Sequence, residues 1–318
     1  MFVDILQEWS RFVLRDKGSW FYGIFLARVK TCSSIIIGDQ STASEVEVRN
    51  SAGFTQDAYG LFGKSMALGR GAGAQGALRI VGPKVLLELS GESRVGAAGD
   101  GELDVRNDAM MFSQGDIVLG EQPGSSGLLR LGESGASGPA TLVQEGLSIN
   151  ARRDFIVGAA GSGGVLVEGN AIMDQTVFID EIVVAQDQGS VGEVTLSGPL
   201  AQWIMAPLSL VIGQSGNATV RILDGAQWTA SPISPLSIAE NASATALIEI
   251  DGVGSAWINN SPANIGGDGQ ATVRVTNGGV IEGVSFGIEN GAALEGDGAV
   301  DGDVAKVVEF DEFFGDEV

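Results

Sequence analysis

Residues 189–290 decide the reading of this chain. They contain Gly192-Glu-Val-Thr-Leu-Ser-Gly198, then Trp203, then Leu210-Val-Ile-Gly213. Gly216-Asn-Ala-Thr-Val-Arg-Ile-Leu-Asp-Gly225 and Trp228 come next. Ile248-Glu-Ile-Asp-Gly-Val-Gly-Ser-Ala-Trp257 and Gly269-Gln-Ala-Thr-Val-Arg-Val-Thr-Asn-Gly-Gly279 complete the stretch. Two short motifs alternate in it. One is an apolar triplet closed by a small residue, as in Leu210–Gly213. The other is apolar–polar–apolar, as in Val220-Arg221-Ile222.

Both motifs extend toward the N-terminus. The small residues that close the triplets are Gly38, Gly69, Gly96, Gly120, Gly158, Ala185, Gly213, Ala239 and Gly266. Their spacings are 31, 27, 24, 38, 27, 28, 26 and 27, so one irregular stretch falls at about 132–155. The second motif follows each triplet, from Val46-Glu47-Val48 to Val273-Arg274-Val275, after a link of Gly, Ala, Ser and Asp. Period-two alternation in β-branched segments reads as short strands with one buried face. A unit of about 27 residues with two such strands cannot bury its apolar face alone, but stacked units can. No segment carries 10 or more residues at helical period, and a propeller blade needs four strands in about 40–45 residues. The expected fold is all-β, a single-stranded parallel β-helix (β-solenoid) of about nine coils. The domain reading is an N-terminal cap or targeting segment over 1–32, repeats over 33–304 and an acidic tail over 305–318.

This register makes a strong demand. The central residues Glu47, Arg79, Asp104, Arg130, Arg221, Glu249 and Arg274 must fall in one outer column of alternating sign. Val48, Ile80, Val105, Leu131, Val167, Leu196, Ile222, Ile250 and Val275 must line up inside.

Composition excludes much chemistry. The net charge is −22, which disfavours a nucleic-acid partner because phosphates need a cationic surface. There is no histidine, so Ser-His-Asp and Cys-His systems and imidazole metal sites are ruled out. Cys32 is the single cysteine, which excludes intramolecular disulfides and cysteine zinc clusters. No stretch reaches the 18 or more apolar residues of a membrane helix. Near the N-terminus, Phe2, Ile5, Trp9 and Phe12 step by three and four, as an amphipathic capping helix would. Arg15-Asp16-Lys17 before the apolar run Trp20–Ala27 is the nearest thing to a secretion signal, but Arg28 and Lys30 give it the wrong flanks.

The motifs of 189–290 resemble the repeat shared by type V secretion (autotransporter) passengers and PEP-CTERM-associated bacterial proteins. That repeat runs roughly as a strand, Gly-Ser-x-Trp, a strand ending in Val-Gly, and Gly-x-Gly-x-Leu-x-Ile-x-Asn-Gly-Gly. The likeness is good over 189–290 and loose over 33–304. It implies a β-solenoid exported to the cell surface or beyond. Leu294-Glu-Gly-Asp-Gly-Ala-Val-Asp-Gly-Asp-Val304 is similar to the run that closes such arrays. The acidic, aromatic stretch Val308-Glu-Phe-Asp-Glu-Phe-Phe-Gly-Asp-Glu-Val318 then departs from the pattern, and the expectation is a truncated or frame-shifted piece of a longer exported protein.

Candidate sites are few. Trp203, Trp228 and Trp257 recur just after a glycine-containing turn; they read as a stacked structural column, with sugar stacking as the functional alternative. Gly267-Asp268-Gly269, Asn277-Gly278-Gly279 and Gly296-Asp297-Gly298 read as turns of positive φ, with calcium a weak alternative. Arg152-Arg153-Asp154, near Asp174, Asp180 and Glu181, reads as a charged loop, although polysaccharide lyases on solenoids use such groups. No catalytic, cofactor or metal residue is assigned. The expected function is a non-enzymatic exported stalk or adhesive segment with a surface or carbohydrate ligand. The rival is a polysaccharide-binding or polysaccharide-degrading β-helix.

Overall fold

The computed structural model describes residues 12–14, 30–32, 34–39, 43–49, 59–135, 138–146, 153–231, 236–289 and 291–306. Every strand pairing among them is parallel, each to the strand one winding away, and they form no helix. The chain is a β-solenoid.

One face is a ten-stranded sheet running from Ala43–Arg49 to Ala292–Gly296. It holds the nine apolar–polar–apolar motifs and one further rung at its C-terminal end. The register is continuous: Val46 pairs with Leu78, Leu78 with Leu103, and so on through Val273 to Leu294. The inner column is buried throughout. Ile80, Val105, Leu131, Val167, Leu196, Ile222 and Ile250 are fully covered, while Val48 and Val275 are nearly so. Alternation explains this, because successive side chains point to opposite faces of a strand.

Each winding contains three strands rather than the two read from sequence. The third lies between the long strand and the triplet, as in Val85–Leu89, Gln202–Met205 and Gln227–Ala230. Its inward column runs Leu87, Met111, Leu142, Met173, Trp203, Trp228, Trp257 and Ile281. These strands are short and mixed in type, so alternation over four residues gives little signal in isolation. The triplets form the third face, in register from Ile35–Ile37 to Ala263–Ile265.

The small residue after each triplet makes a corner. All nine have positive φ, from 55° at Ala239 to 75° at Gly213, with Gly266 alone higher at 117°. Gly120 shows why the residue is small. Its φ is +65°, and a Cβ there would lie 2.2 Å from the backbone oxygen of Ser162 in the next winding. The chain turns in a left-handed conformation directly against its neighbour.

The N-terminal segment contributes strands to the stack. Phe12–Leu14 pairs with Ile35–Ile37, and Lys30–Cys32 pairs with Leu61–Gly63. The winding therefore begins before residue 33, and Phe12 is in a strand where the spacing suggested a helix. The other residues of that spacing, and 307–318, lie outside the described residues. At the C-terminal end the last strand is Ala299–Lys306.

The irregular stretch seen in the spacings is real. Pairing slips by one residue between Val143 and Glu145, and again between Arg153 and Phe155. A chain of buried polar groups crosses this winding. Trp203 Nε1 donates to Gln175 Oε1 at 2.7 Å, and Gln175 Nε2 donates to Gln144 Oε1 at 2.6 Å. Gln144 Nε2 then donates to the carbonyls of Gly115 (2.9 Å) and Asp154 (3.0 Å). Both glutamines are fully buried. Gln175→Leu leaves an indole N–H and an amide oxygen without partners. Each costs about 1–3 kcal/mol, so a loss of several kcal/mol in urea unfolding is expected. Trp203→Phe in the same chain removes one orphan and should recover part of that loss; full additivity of the two changes would show that the hydrogen bond carries nothing.

Candidate functional site

A column of charged groups runs along the outer side of the ten-stranded sheet. Glu47, Arg79, Asp104, Arg130, Leu166, Thr195, Arg221, Glu249, Arg274 and Glu295 form one column, each on the next rung. The column required by the repeat is present, and its neighbours pair. Arg221 Nε donates to Glu249 at 3.0 Å. Arg274 bridges Glu249 at 3.1 Å and Glu295 at 2.8 Å. Arg79 pairs with Glu45 and lies 3.6 Å from Asp104. Each exposed pair contributes only about 0.2–1 kcal/mol. The alternation also sets register, since a one-winding slip would stack like charges.

A cleft of about 280 Å³ opens on this face, lined by Glu47, Arg79, Asp104, Arg106 and Glu133 among others. Asp104 is fully buried beneath the arginines. Its Oδ1 accepts from Arg106 Nε at 2.6 Å, while Oδ2 has no hydrogen-bond partner. The hydrogen bond to the Asp104 carboxylate raises the Arg106 guanidinium above its already high value. The sequence motifs placed Glu47, Arg79 and Asp104 on one column but gave no sign of the cleft, because Arg106, at the end of the strand Asp100–Arg106, and Glu133, just past the strand Ser126–Leu131, lie outside the apolar–polar–apolar triplet.

Trp203, Trp228 and Trp257 are placed in the core, all fully buried. Trp203 and Trp228 stack at 5.2 Å with an interplanar angle of 11°, and Trp257 follows at 6.3 Å. Phe155 and Phe286 close the row edge-on. No ring face is open to a sugar, so the three indoles serve as core and not as a stacking platform. Position decided this: each follows its turn by an even step that points inward.

A second charged region lies at the corner before the triplets. Arg153 and Asp154 are on the strand Arg153–Val157, and Arg152 lies outside the described residues. Asp154 donates its backbone N–H to Asp116 Oδ1 at 3.2 Å, and Arg153 Nε donates to the Gln114 carbonyl at 2.5 Å. Burial pushes the Asp154 carboxyl up, with Asp116 and Asp180 adding to it. Burial likewise raises Glu181, helped by Asp154 and Glu240. Burial raises Glu121 too, against the pull of Arg94. Asp174 instead turns back to accept from the Thr176 backbone and hydroxyl. Among the described residues, no three acidic or cysteine side chains converge on a point as a bound cation requires.

These raised carboxyls predict an unusual pH response. Where the folded state holds a proton more tightly than the unfolded chain, stability is highest below the ordinary carboxylate range and falls as pH rises through the folded value. Thermal melting should therefore shift upward on acidification from neutral toward pH ~5. Asp154→Asn with Glu181→Gln should raise the melting temperature at neutral pH and flatten its pH dependence. A wild-type profile that falls on mild acidification would count against this.

No helix among the described residues is long and apolar enough to cross a membrane. Comparison of the chain with protein-family models, with curated proteins and with solved structures finds no match in any of the three.

Proposed function

We propose that the protein is a non-enzymatic structural or adhesive segment of an exported bacterial surface protein. The observation that carries this reading is the uniformity of the winding. Nine consecutive triplets end in the same left-handed corner and stack the same inward columns. Such a chain invests its sequence in extension and stiffness, about 4.8 Å per winding, and presents flat ladders along its length. The acidic composition opposes indiscriminate clustering of such rods. The resemblance of 189–290 to exported passenger repeats supports the same reading. The test is location: in the native bacterium, protease added to intact cells should degrade the protein, and an antibody should label the cell surface. Protection from protease until the cells are lysed would overturn it.

A second reading has one observation in its favour. Arg79, Arg106 and Asp104 meet in one cleft, the combination that polysaccharide-binding or polysaccharide-degrading β-helices require. Incubation with acidic and neutral polysaccharides, with and without calcium, separates the two readings, since turnover or saturable binding lost in Arg106→Ala favours the second.

A further inference from the structure

We infer that the outer side of the ten-stranded sheet is a self-association surface, on which a second copy of this chain docks antiparallel about a two-fold axis through the fifth rung, Ser162–Glu168. This goes beyond the reading above and does not depend on it.

The first observation is charge. Along the column, Glu47, Asp104, Glu249 and Glu295 balance Arg79, Arg130, Arg221 and Arg274. This face carries a neutral stripe on a chain of net charge −22. The signs run − + − +, then Leu166 and Thr195, then + − + −. If the two-fold passes through rung five, rung n meets rung 10 − n of the copy. Glu47 then faces Arg274, Arg79 faces Glu249, Arg221 lies over the rung of the covered Asp104, and Leu166 meets Leu166 on the axis. An axis between rungs five and six sets every charged member of the column against its own sign. An axis through rung six pairs opposite signs but sets Glu193 against Glu193.

The second observation is a leftover pair. Arg130 makes no ion pair among the described residues, and its Nε is buried without a hydrogen-bond partner. Glu193, on the sixth rung, is exposed and also without an ion pair among them. They lie two rungs apart on one chain, about 10 Å, too far to meet. With the axis at rung five, rung four faces rung six. Arg130 then lies across from Thr195 of the second copy, one diagonal step from its Glu193, within reach of a long guanidinium. Glu168 meets its own copy, but at the strand end, where salt and water screen it.

The third is area. Nine rungs of seven residues span about 43 by 23 Å, so two faces cover roughly 2,000 Å² in all, at the upper end of standard specific interfaces. Complementary charge over such a face gives orientation and encounter rate more than bulk affinity.

The test uses the full chain with Cys32→Ser. Sedimentation should show a dimer at low salt that shifts toward monomer at high salt. Arg130→Glu and Glu193→Arg should each weaken association about tenfold or more, and the double swap should recover it. Leu166→Cys should form a covalent dimer on mild oxidation, while Thr195→Cys should not, because its opposite position is Arg130. Circular dichroism checks that each variant keeps its strands. A wild-type monomer at about 100 µM in low salt overturns the proposal. A dimer indifferent to both reversals, a swap without recovery, or cross-linking through Thr195→Cys in place of Leu166→Cys does so as well.

Discussion

Gly120→Ala is expected to destabilise the solenoid by upward of ~3 kcal/mol, read as a large fall in the urea midpoint. Two effects combine. Alanine in a left-handed conformation costs roughly 1–2 kcal/mol by itself. Its Cβ would then lie 2.2 Å from the Ser162 oxygen, and that backbone is fixed in the ladder to Ser126. Relief requires separating two windings. Gly213→Ala is the control. Its φ is +75°, but the nearest backbone atom, the Thr245 oxygen, stands 3.1 Å away. Ala185 and Ala239 already occupy the same corner at φ 61° and 55°. Gly213→Ala should therefore cost only about 1 kcal/mol. Equal losses at the two positions would mean that the backbone conformation, and not the contact between windings, sets the cost. Hydrogen exchange should also locate the damage in the windings next to Gly120, since each winding touches only its neighbours.

Trp228→Ala should be comparably severe, about 3–5 kcal/mol. The indole fills the core between Trp203 and Trp257, and its removal opens a cavity that rigid windings above and below cannot close. The stacked neighbours add about 0.5–1.5 kcal/mol beyond area burial. Trp228→Leu should lose less, because Leu87 and Leu142 fill the same column elsewhere. Near-ultraviolet circular dichroism supplies an independent reading: the signal of the stacked pair should collapse in both variants. Retention of wild-type unfolding by Trp228→Ala would contradict a continuous core column.

The windings were legible because their two clearest signals are independent and agree. A triplet closed by a small residue marks the corner, and apolar–polar–apolar marks the long strand. The alternating column from Glu47 to Arg274 followed from that register alone. The third strand was not legible, for a physical reason. Its inward residues run from Leu87 and Met111 through Trp203 to Ile281, and a core column demands volume rather than one residue type. The recurrent tryptophans were visible, but their strand was not. A continued step of two, Trp203 with Met205 and Trp228 with Ala230, carried the missing signal. Gln144 and Gln175 were opaque for a different reason: a buried amide looks like a surface residue until its partners are known. The cleft at Asp104 joins residues from four windings, some of them past the ends of the repeated triplets, so no local pattern announces it.

The buried glutamine chain has a mechanical consequence. A rod pulled from its ends should peel one winding at a time, each releasing roughly 90 Å of contour. The windings beyond Trp203 hold by backbone ladders, apolar contact and exposed ion pairs and should yield at similar forces. The winding tied through Trp203, Gln175 and Gln144 must break several hydrogen bonds shielded from water at once. In a force–extension trace it would act as a clasp, halting the unravelling midway and leaving the far half of the rod wound.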